Sequence, residues 1–266
     1  MLLIKQPQIY IFWGTHGNEA IITRPFAELI FNQSIEIHPK GTHIIGPVSP
    51  WSSRNEYRYD RLMSDPNRTL DECIPINGDY LQLLKEWRSY QPKDLEQLQA
   101  FLVHINHLGL DIGQLFTCCQ SNERDFFGYV NLKMHQKRVK YLTGIIAQKI
   151  DQEMPSYIML IDIHAGIGQD AKTILFYEGD GKINSRKYLI DAIASNIDQK
   201  FNIPVRTLIL ETGVVNNGFG LINVLSEIAF RTYGFNQPIP KISQICTPDW
   251  ILKAKKQFDI NIIGEM

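Results

Sequence analysis

The feature that most constrains the fold is an apolar run at residues 8–13, which stops at Gly14 and is followed by a helical pattern. The run is rich in β-branched and aromatic residues, and this is typical of a buried strand. Apolar residues then recur at the spacing of an amphipathic helix over residues 19–31. The turn between them reads Gly-Thr-His-Gly-Asn-Glu. In open α/β sheets, ligands bind at the carboxyl ends of strands, which is where this turn lies.

Strands and helices continue to alternate along the chain. Further strands are predicted at 34–38, 42–45, 157–164, 172–177 and 206–211. Helices are predicted at 79–90, 95–108, 130–154, 183–201 and 221–233, with mostly irregular structure at 52–69 and 109–128. This alternation predicts an α/β fold with a mixed, mainly parallel sheet and helices on both faces. No repeat or linker-like segment interrupts it, so residues 1–266 are interpreted as a single domain.

Composition narrows the classes of function. The chain is 44% hydrophobic and 21% charged, with a net charge of −1 and no basic block. We therefore expect neither nucleic acid nor an anionic membrane as a partner. We also expect no transmembrane span and no signal peptide, because the chain lacks a long apolar window and a basic start followed by an apolar core. The four cysteines form no Cys-x-x-Cys pair, which favours reduced thiols in a cytoplasmic protein.

Side chains that can bind metals lie at the ends of three predicted strands. His16 and Glu19 lie in the first turn, whereas His164 and Glu211 end two later strands. Each of them taken singly is more often a hydrogen-bonded structural residue. Together they provide what a catalytic zinc site needs, namely two histidines and a glutamate as ligands and a further carboxylate as base. Asp162 lies on the same face of its strand as His164, so it either orients that ligand or is a plain buried carboxylate.

A second informative stretch, residues 54–70, carries four arginines interleaved with acidic residues. This stretch is either a solvated surface or part of a binding site. Asn67 and Arg68 beside a zinc centre would have a specific use. A guanidinium binds a carboxylate through two parallel hydrogen bonds, and the amide adds a further donor.

Taken together, these motifs resemble those of the zinc carboxypeptidase superfamily, near its aspartoacylase and succinylglutamate desuccinylase branch. The resemblance is carried by the turn at 14–19, Asp-x-Asn-Arg at 65–68, Asp-x-His at 162–164 and Glu211 after a strand. The segments at 54–56, 113–128 and 162–168 are most similar to a metallopeptidase-like branch of that superfamily.

The resemblance implies a role for each matched residue at the metal. His16, Glu19 and His164 would bind one zinc ion per chain. Asp65 would orient His16 from behind, and Glu211 would act as the general base. Zinc ligands of the type His-His-Glu are those of carboxypeptidase A.

The resemblance also implies how a substrate is held. Asn67 and Arg68 would bind its carboxylate, and an upstream arginine would polarise the scissile carbonyl. Arg54, Arg58 and Arg61 are the candidates for that arginine. Arg54 is preferred because an Asn-Glu pair follows it.

The function implied is a zinc-dependent amide hydrolase, a metallocarboxypeptidase that cleaves a small peptide beside its free carboxylate. The alternative within this class is an N-acyl amino acid deacylase. Only 55 residues follow Glu211, which is too few for the β-rich C-terminal domain of the aspartoacylase branch. The stretch from 69 to 162 is long for the superfamily, so residues 79–128 are expected to form a helical insertion near the active-site mouth. An inactive zinc-binding protein and a metal-free structural module are the competing hypotheses.

Overall fold

A computed structural model describes residues 6–68, 78–110, 129–152, 154–167, 173–179, 188–215, 217–244 and 246–259. Its strands are β1 (Gln8–Phe12), β2 (Thr42–Ile45), β3 (Ile158–Ile167), β4 (Thr173–Gly179) and β5 (Val205–Val215). Its helices are α1 (Ala20–Ile37), α2 (Pro50–Asn55), α3 (Gly78–Tyr90), α4 (Leu95–His107), α5 (Leu132–Ile150), α6 (Leu189–Phe201), α7 (Asn217–Tyr233) and α8 (Pro248–Gln257). Single turns of 3-10 helix lie at Gly17–Glu19 and Ile242–Gln244.

The five strands form one sheet in the order β2-β1-β3-β5-β4. The first four in that order run parallel to one another, whereas β4 pairs with β5 in the antiparallel direction. The predicted α/β class, with a mixed and mostly parallel sheet, is therefore confirmed.

Helices cover both faces of the sheet, which explains why its strands are apolar at almost every position. On one face, Tyr10 and Leu160 pack against α5 and α6. On the other face, Ile11 and Ile161 pack against α1 and α8. Adjacent residues of a strand point to opposite faces, so β1 and β3 have no face left for solvent.

A separate apolar cluster joins α3 and α4 to α7. Trp87 and Phe101 lie at its centre, with their ring centroids 5.2 Å apart, and Ile228 of α7 packs in the same cluster. The first part of the expected insertion is thus helical, as predicted. Residues 111–128 lie outside the described residues, so the position of the insertion near the active-site mouth stays a prediction.

The predicted strand at 34–38 is wrong, because residues 34–37 form the last turn of α1 and His38 caps its end. The alternation of Ile35 and Ile37 imitates a strand. However, Ser34 continues the buried stripe of Phe26 and Ile30 at helical spacing, and Ile37 is 58% exposed. Packing of α1 against the core therefore decides the conformation of residues 34–37, although their alternating isoleucines favour a strand.

Two short helices were not predicted. Within the stretch expected to be mostly loop, α2 starts with Pro50 at its first position, where the fixed φ of proline is already helical. Near the end of the chain, Thr247 accepts a hydrogen bond from the Trp250 amide and so begins α8.

Candidate metal centre

The carboxyl ends of β1, β3 and β5 meet at one edge of the sheet. Phe12 pairs with Asp162, and His164 pairs with Glu211. The turn that carries His16 leaves β1 at this same edge. The sheet topology therefore brings together side chains that come from three separate parts of the sequence.

His16, Glu19 and His164 form a buried group that could hold a metal ion, with one ligand atom from each lying within 4.8 Å of the others. The Nδ1 atoms of the two rings are 3.3 Å apart. Glu19 places Oε1 3.0 Å from Nδ1 of His16 and Oε2 3.3 Å from Nδ1 of His164. Two nitrogen ligands bound tetrahedrally to zinc at 2.0–2.1 Å are separated by about 3.4 Å. The spacing of the two rings therefore fits such an ion.

The glycines of the first turn are explained by its shape. Gly14 has a φ of +66°, a left-handed conformation that favours glycine. Gly17 lies directly against the backbone of α2, so that a Cβ there would overlap the Ser52 carbonyl. Asn18 then holds the turn in place, because its backbone N–H donates to the Tyr57 carbonyl at 2.9 Å. The turn thus has one shape, and this shape aims His16 and Glu19 at the same point.

The far nitrogen of each ring is anchored on a carboxylate. His16 Nε2 lies 3.0 Å from Oδ1 of Asp65, and His164 Nε2 lies 3.0 Å from Oδ2 of Asp162. Thr15 donates its hydroxyl to the other oxygen of Asp162 at 2.8 Å. Donation of Nε2–H to a carboxylate would leave Nδ1 as the nitrogen that each neutral ring offers to a metal.

The charges of the cluster compensate one another. Burial alone would raise the pKa of Glu19, but the His16 and His164 rings hold that pKa well below its usual range. Burial would likewise lower the pKa of His164, but Asp162 and Glu19 raise it well above its usual range. Burial opposes ionisation of Asp65 too, yet the Arg58 and His16 charges hold its pKa well below the usual range. Glu19 and Asp65 are therefore ionised, Glu19 as a possible metal ligand and Asp65 as the anchor of His16.

The arginine that the structure brings to the cluster is Arg58, and the preference for Arg54 is corrected accordingly. Arg58 Nη1 lies 3.4 Å from Oε1 of Glu19, and its Nη2 lies 3.3 Å from Oδ2 of Asp65. Arg54 is exposed on α2 and donates its Nε to the Pro50 carbonyl of the same helix. Arg61 is also exposed. Glu56, directly after α2, has a left-handed conformation, and Arg58 two residues later is buried.

Asn67 and Arg68 both lie near the cluster, but their side chains have different neighbours. Asn67 Nδ2 is 3.3 Å from Nε2 of His164, and its Oδ1 accepts from the Leu189 amide at 3.4 Å. The Asn67 amide thus lies between the His164 ring and the start of α6. The Arg68 guanidinium lies over the Tyr188 ring, 5.6 Å from its centroid.

Glu211 is half-buried beside His164, its register partner on β3. Its charge also acts on Arg58. Burial would lower the pKa of Arg58, but the charges of Asp65, Glu19 and Glu211 are among those that raise it. The expected base and the expected carbonyl-binding arginine are thus electrostatic neighbours.

Sequence reasoning missed Glu227, a buried carboxylate of α7 that binds the backbone of the arginine-rich loop. A charged residue between the apolar residues Leu225 and Ile228 was the available signal. Burial raises the pKa of Glu227 to about 7. Burying a carboxylate costs free energy unless it is hydrogen-bonded. The partners of Glu227 are the backbone amides of Arg58 and Tyr59, and Arg58 reaches the metal cluster.

No family model matches the chain, and no curated protein matches it significantly. Among the residues that the structure describes, no helix is long and apolar enough to cross a membrane.

Proposed function

We propose that the protein is a zinc-dependent amide hydrolase with a zinc carboxypeptidase-like catalytic domain. Its substrate would carry a free carboxylate next to the scissile amide. The observation that carries the proposal is the convergence of His16 Nδ1, Glu19 and His164 Nδ1, with both rings anchored from behind on carboxylates. Two imidazoles and one carboxylate suit zinc, whereas magnesium and calcium prefer oxygen ligands alone.

The residues around the ligands supply the groups that amide hydrolysis requires. Bound zinc would contribute Lewis acidity and a water with a pKa of about 7. Glu211 would accept the proton of the attacking water and deliver it to the leaving nitrogen. Arg58 would stabilise the negative charge that develops on the carbonyl oxygen, and one such preorganised donor contributes about 3 kcal/mol.

Arg68 would bind the substrate carboxylate and so hold the amide next to Glu211 and Arg58. Its position over the Tyr188 ring limits the orientations of the guanidinium, and this favours recognition of a planar anion. Asn67 would share this role only in part, because its amide already lies against His164 and the start of α6. Binding energy at the carboxylate would thus be converted into orientation of the scissile bond.

The test is a substrate series with a matched blocked control. Zinc-loaded protein is incubated with N-acyl amino acids, dipeptides and longer peptides, each also as its C-terminal amide. Hydrolysis of the free acids but not of the amides would support the proposal. If none of them is hydrolysed, and wild type and Glu211→Gln bind these compounds with the same affinity, the inactive zinc-binding protein is favoured. Cleavage of N-acyl amino acids alone would favour the deacylase.

A further inference from the structure

Glu227 binds two successive backbone amides of the loop that carries Arg58. Its Oε2 accepts from the Arg58 amide at 2.6 Å, and its Oε1 accepts from the Tyr59 amide at 3.2 Å. The carboxylate is 1% exposed and comes from α7, far along the chain. Loop amides without strand or helix partners need such an acceptor when they are buried.

Arg231, one helical turn after Glu227, holds the next part of the same loop. Its Nη1 donates to Oε1 of Glu227 at 3.1 Å. Its Nη2 donates to the carbonyls of Asp60 and Arg61 at 2.7 and 3.0 Å. The guanidinium also lies over the Trp51 ring, 5.2 Å from its centroid. The pair thus binds both the donors and the acceptors of one short backbone segment.

Arg58 connects this part of the loop to the metal cluster. Arg58 has its backbone on Glu227 and its guanidinium between Glu19 and Asp65. A displacement of the Arg58 backbone would therefore change the contact between Nη1 and Glu19 Oε1. The same Oε1 lies 3.0 Å from His16 Nδ1 and belongs to the candidate ligand group.

Glu227 is a carboxylate on the core side of α7, where an apolar side chain is the more usual occupant. Its neighbours on the helix, Leu225 and Ile228, are fully buried and apolar. Burying a charged pair costs desolvation that an apolar pair would not cost, so such a pair is weak support for a role in stability alone. Its hydrogen bonds instead go to the backbone of the loop.

We infer that Glu227 and Arg231 are positioning residues for Arg58, and that through Arg58 they set the cation affinity of the His16–Glu19–His164 group. The catalytic consequence rests on the proposed function, because Arg58 is the group expected to bind the scissile carbonyl. The effect on the ligand group itself follows from the contacts and does not require any hydrolytic activity.

Zinc affinity provides a test that does not depend on turnover. Dissociation constants are measured by competition with a chromophoric chelator for wild type, Glu227→Gln, Arg58→Ala and the double variant. Arg58→Ala should tighten zinc binding by at least about tenfold, because the guanidinium competes for Glu19 Oε1 and repels a cation nearby. Glu227→Gln should tighten it by about threefold or more, and should cause no further change when Arg58 is absent.

If Glu227→Gln changed zinc affinity equally with and without Arg58, Glu227 would act independently of Arg58, and the inference would be overturned. The inference would also be overturned if the Glu227→Gln single variant bound zinc as wild type does, or more weakly. Arg231→Lys is a second variant, expected to shift the affinity in the same direction, and it replaces Glu227→Gln if that protein does not fold. Glu28→Gln is the matched control, because it breaks an exposed i,i+4 pair with Arg24 on α1.

If none of the proteins binds zinc, the proposed function fails, and amide exchange decides the positioning role. The Arg58 and Tyr59 amides should exchange faster in Glu227→Gln than in wild type, with no change in Glu28→Gln. Unchanged protection of these two amides would overturn the inference.

Discussion

The Nδ1 atoms of His16 and His164 lie 3.3 Å apart, although the two residues are 148 positions apart in the sequence. Their rings meet edge to face, with centroids 4.9 Å apart. Both imidazoles point Nδ1 at the same carboxylate, that of Glu19. The arrangement is what a cation needs from its ligands, and it follows from the adjacency of β1 and β3 in the sheet.

Glu211→Gln should strongly reduce hydrolysis without changing metal binding. The substitution keeps the size of the side chain and removes its ability to accept a proton. Because general base catalysis contributes about 10²- to 10⁴-fold, kcat/KM should fall by that factor. The measurement is turnover of the best substrate at equal zinc occupancy, and retention of wild-type activity would contradict the assignment of Glu211 as base.

Arg58→Ala should lower kcat by about 10²- to 10³-fold, because it removes a donor to the developing charge on the carbonyl oxygen. Arg54→Ala is the control, and it should change kcat by less than about twofold because Arg54 is exposed on α2. Steady-state kinetics on both variants separate the two candidates. A larger loss in Arg54→Ala than in Arg58→Ala would restore the original preference.

Gly17→Ala should destabilise the protein by about 1–3 kcal/mol, because the added methyl overlaps the backbone of α2 at Ser52. Gly144→Ala provides the opposite control. A Cβ at Gly144 meets no atom within 4 Å, and the residue lies inside α5. Alanine there should stabilise the helix by about 0.5–1 kcal/mol. Chemical denaturation measures both changes, and equal stability of the two variants would contradict the close approach at Gly17.

Glu227 predicts a specific dependence of stability on pH. Its pKa is about 7 in the folded protein, against an ordinary value of 4.5, so folding binds a proton between these values. The stability from this group is present below about pH 4.5 and is lost as the pH rises through about 7. The Tm of wild type minus that of Glu227→Gln should therefore fall from about pH 5 to about pH 8, measured with a chelator present. A difference that increases with pH would contradict this.

Strand ends were predictable because their signals are local. The apolar run before Gly14 and the one that ends at His164 define two buried strands, and parallel strands bring their carboxyl ends to one edge. The convergence of His16, Glu19 and His164 could therefore be expected before any coordinates. The strand at 34–38 could not be distinguished from a helix, because two alternating isoleucines satisfy the local pattern of a strand.

The position of Arg58 could not be predicted, because it depends on a distant partner. The carboxylate that binds its amide belongs to Glu227, 169 residues further along the chain. Arg54, Arg58 and Arg61 lie close together in the sequence, and no local sequence pattern shows which of them faces the cluster. Only the tertiary contact selects the one that reaches Glu19.

Metal content tests the central claim most directly. Elemental analysis is made on wild type, on His164→Ala and on His104→Ala, which changes a half-buried histidine of α4 that is paired with Glu86. About one zinc per chain in wild type and in His104→Ala, with loss in His164→Ala, is the predicted result. Absence of zinc from all three proteins after incubation with zinc, or its full retention in His164→Ala, would contradict the metal centre.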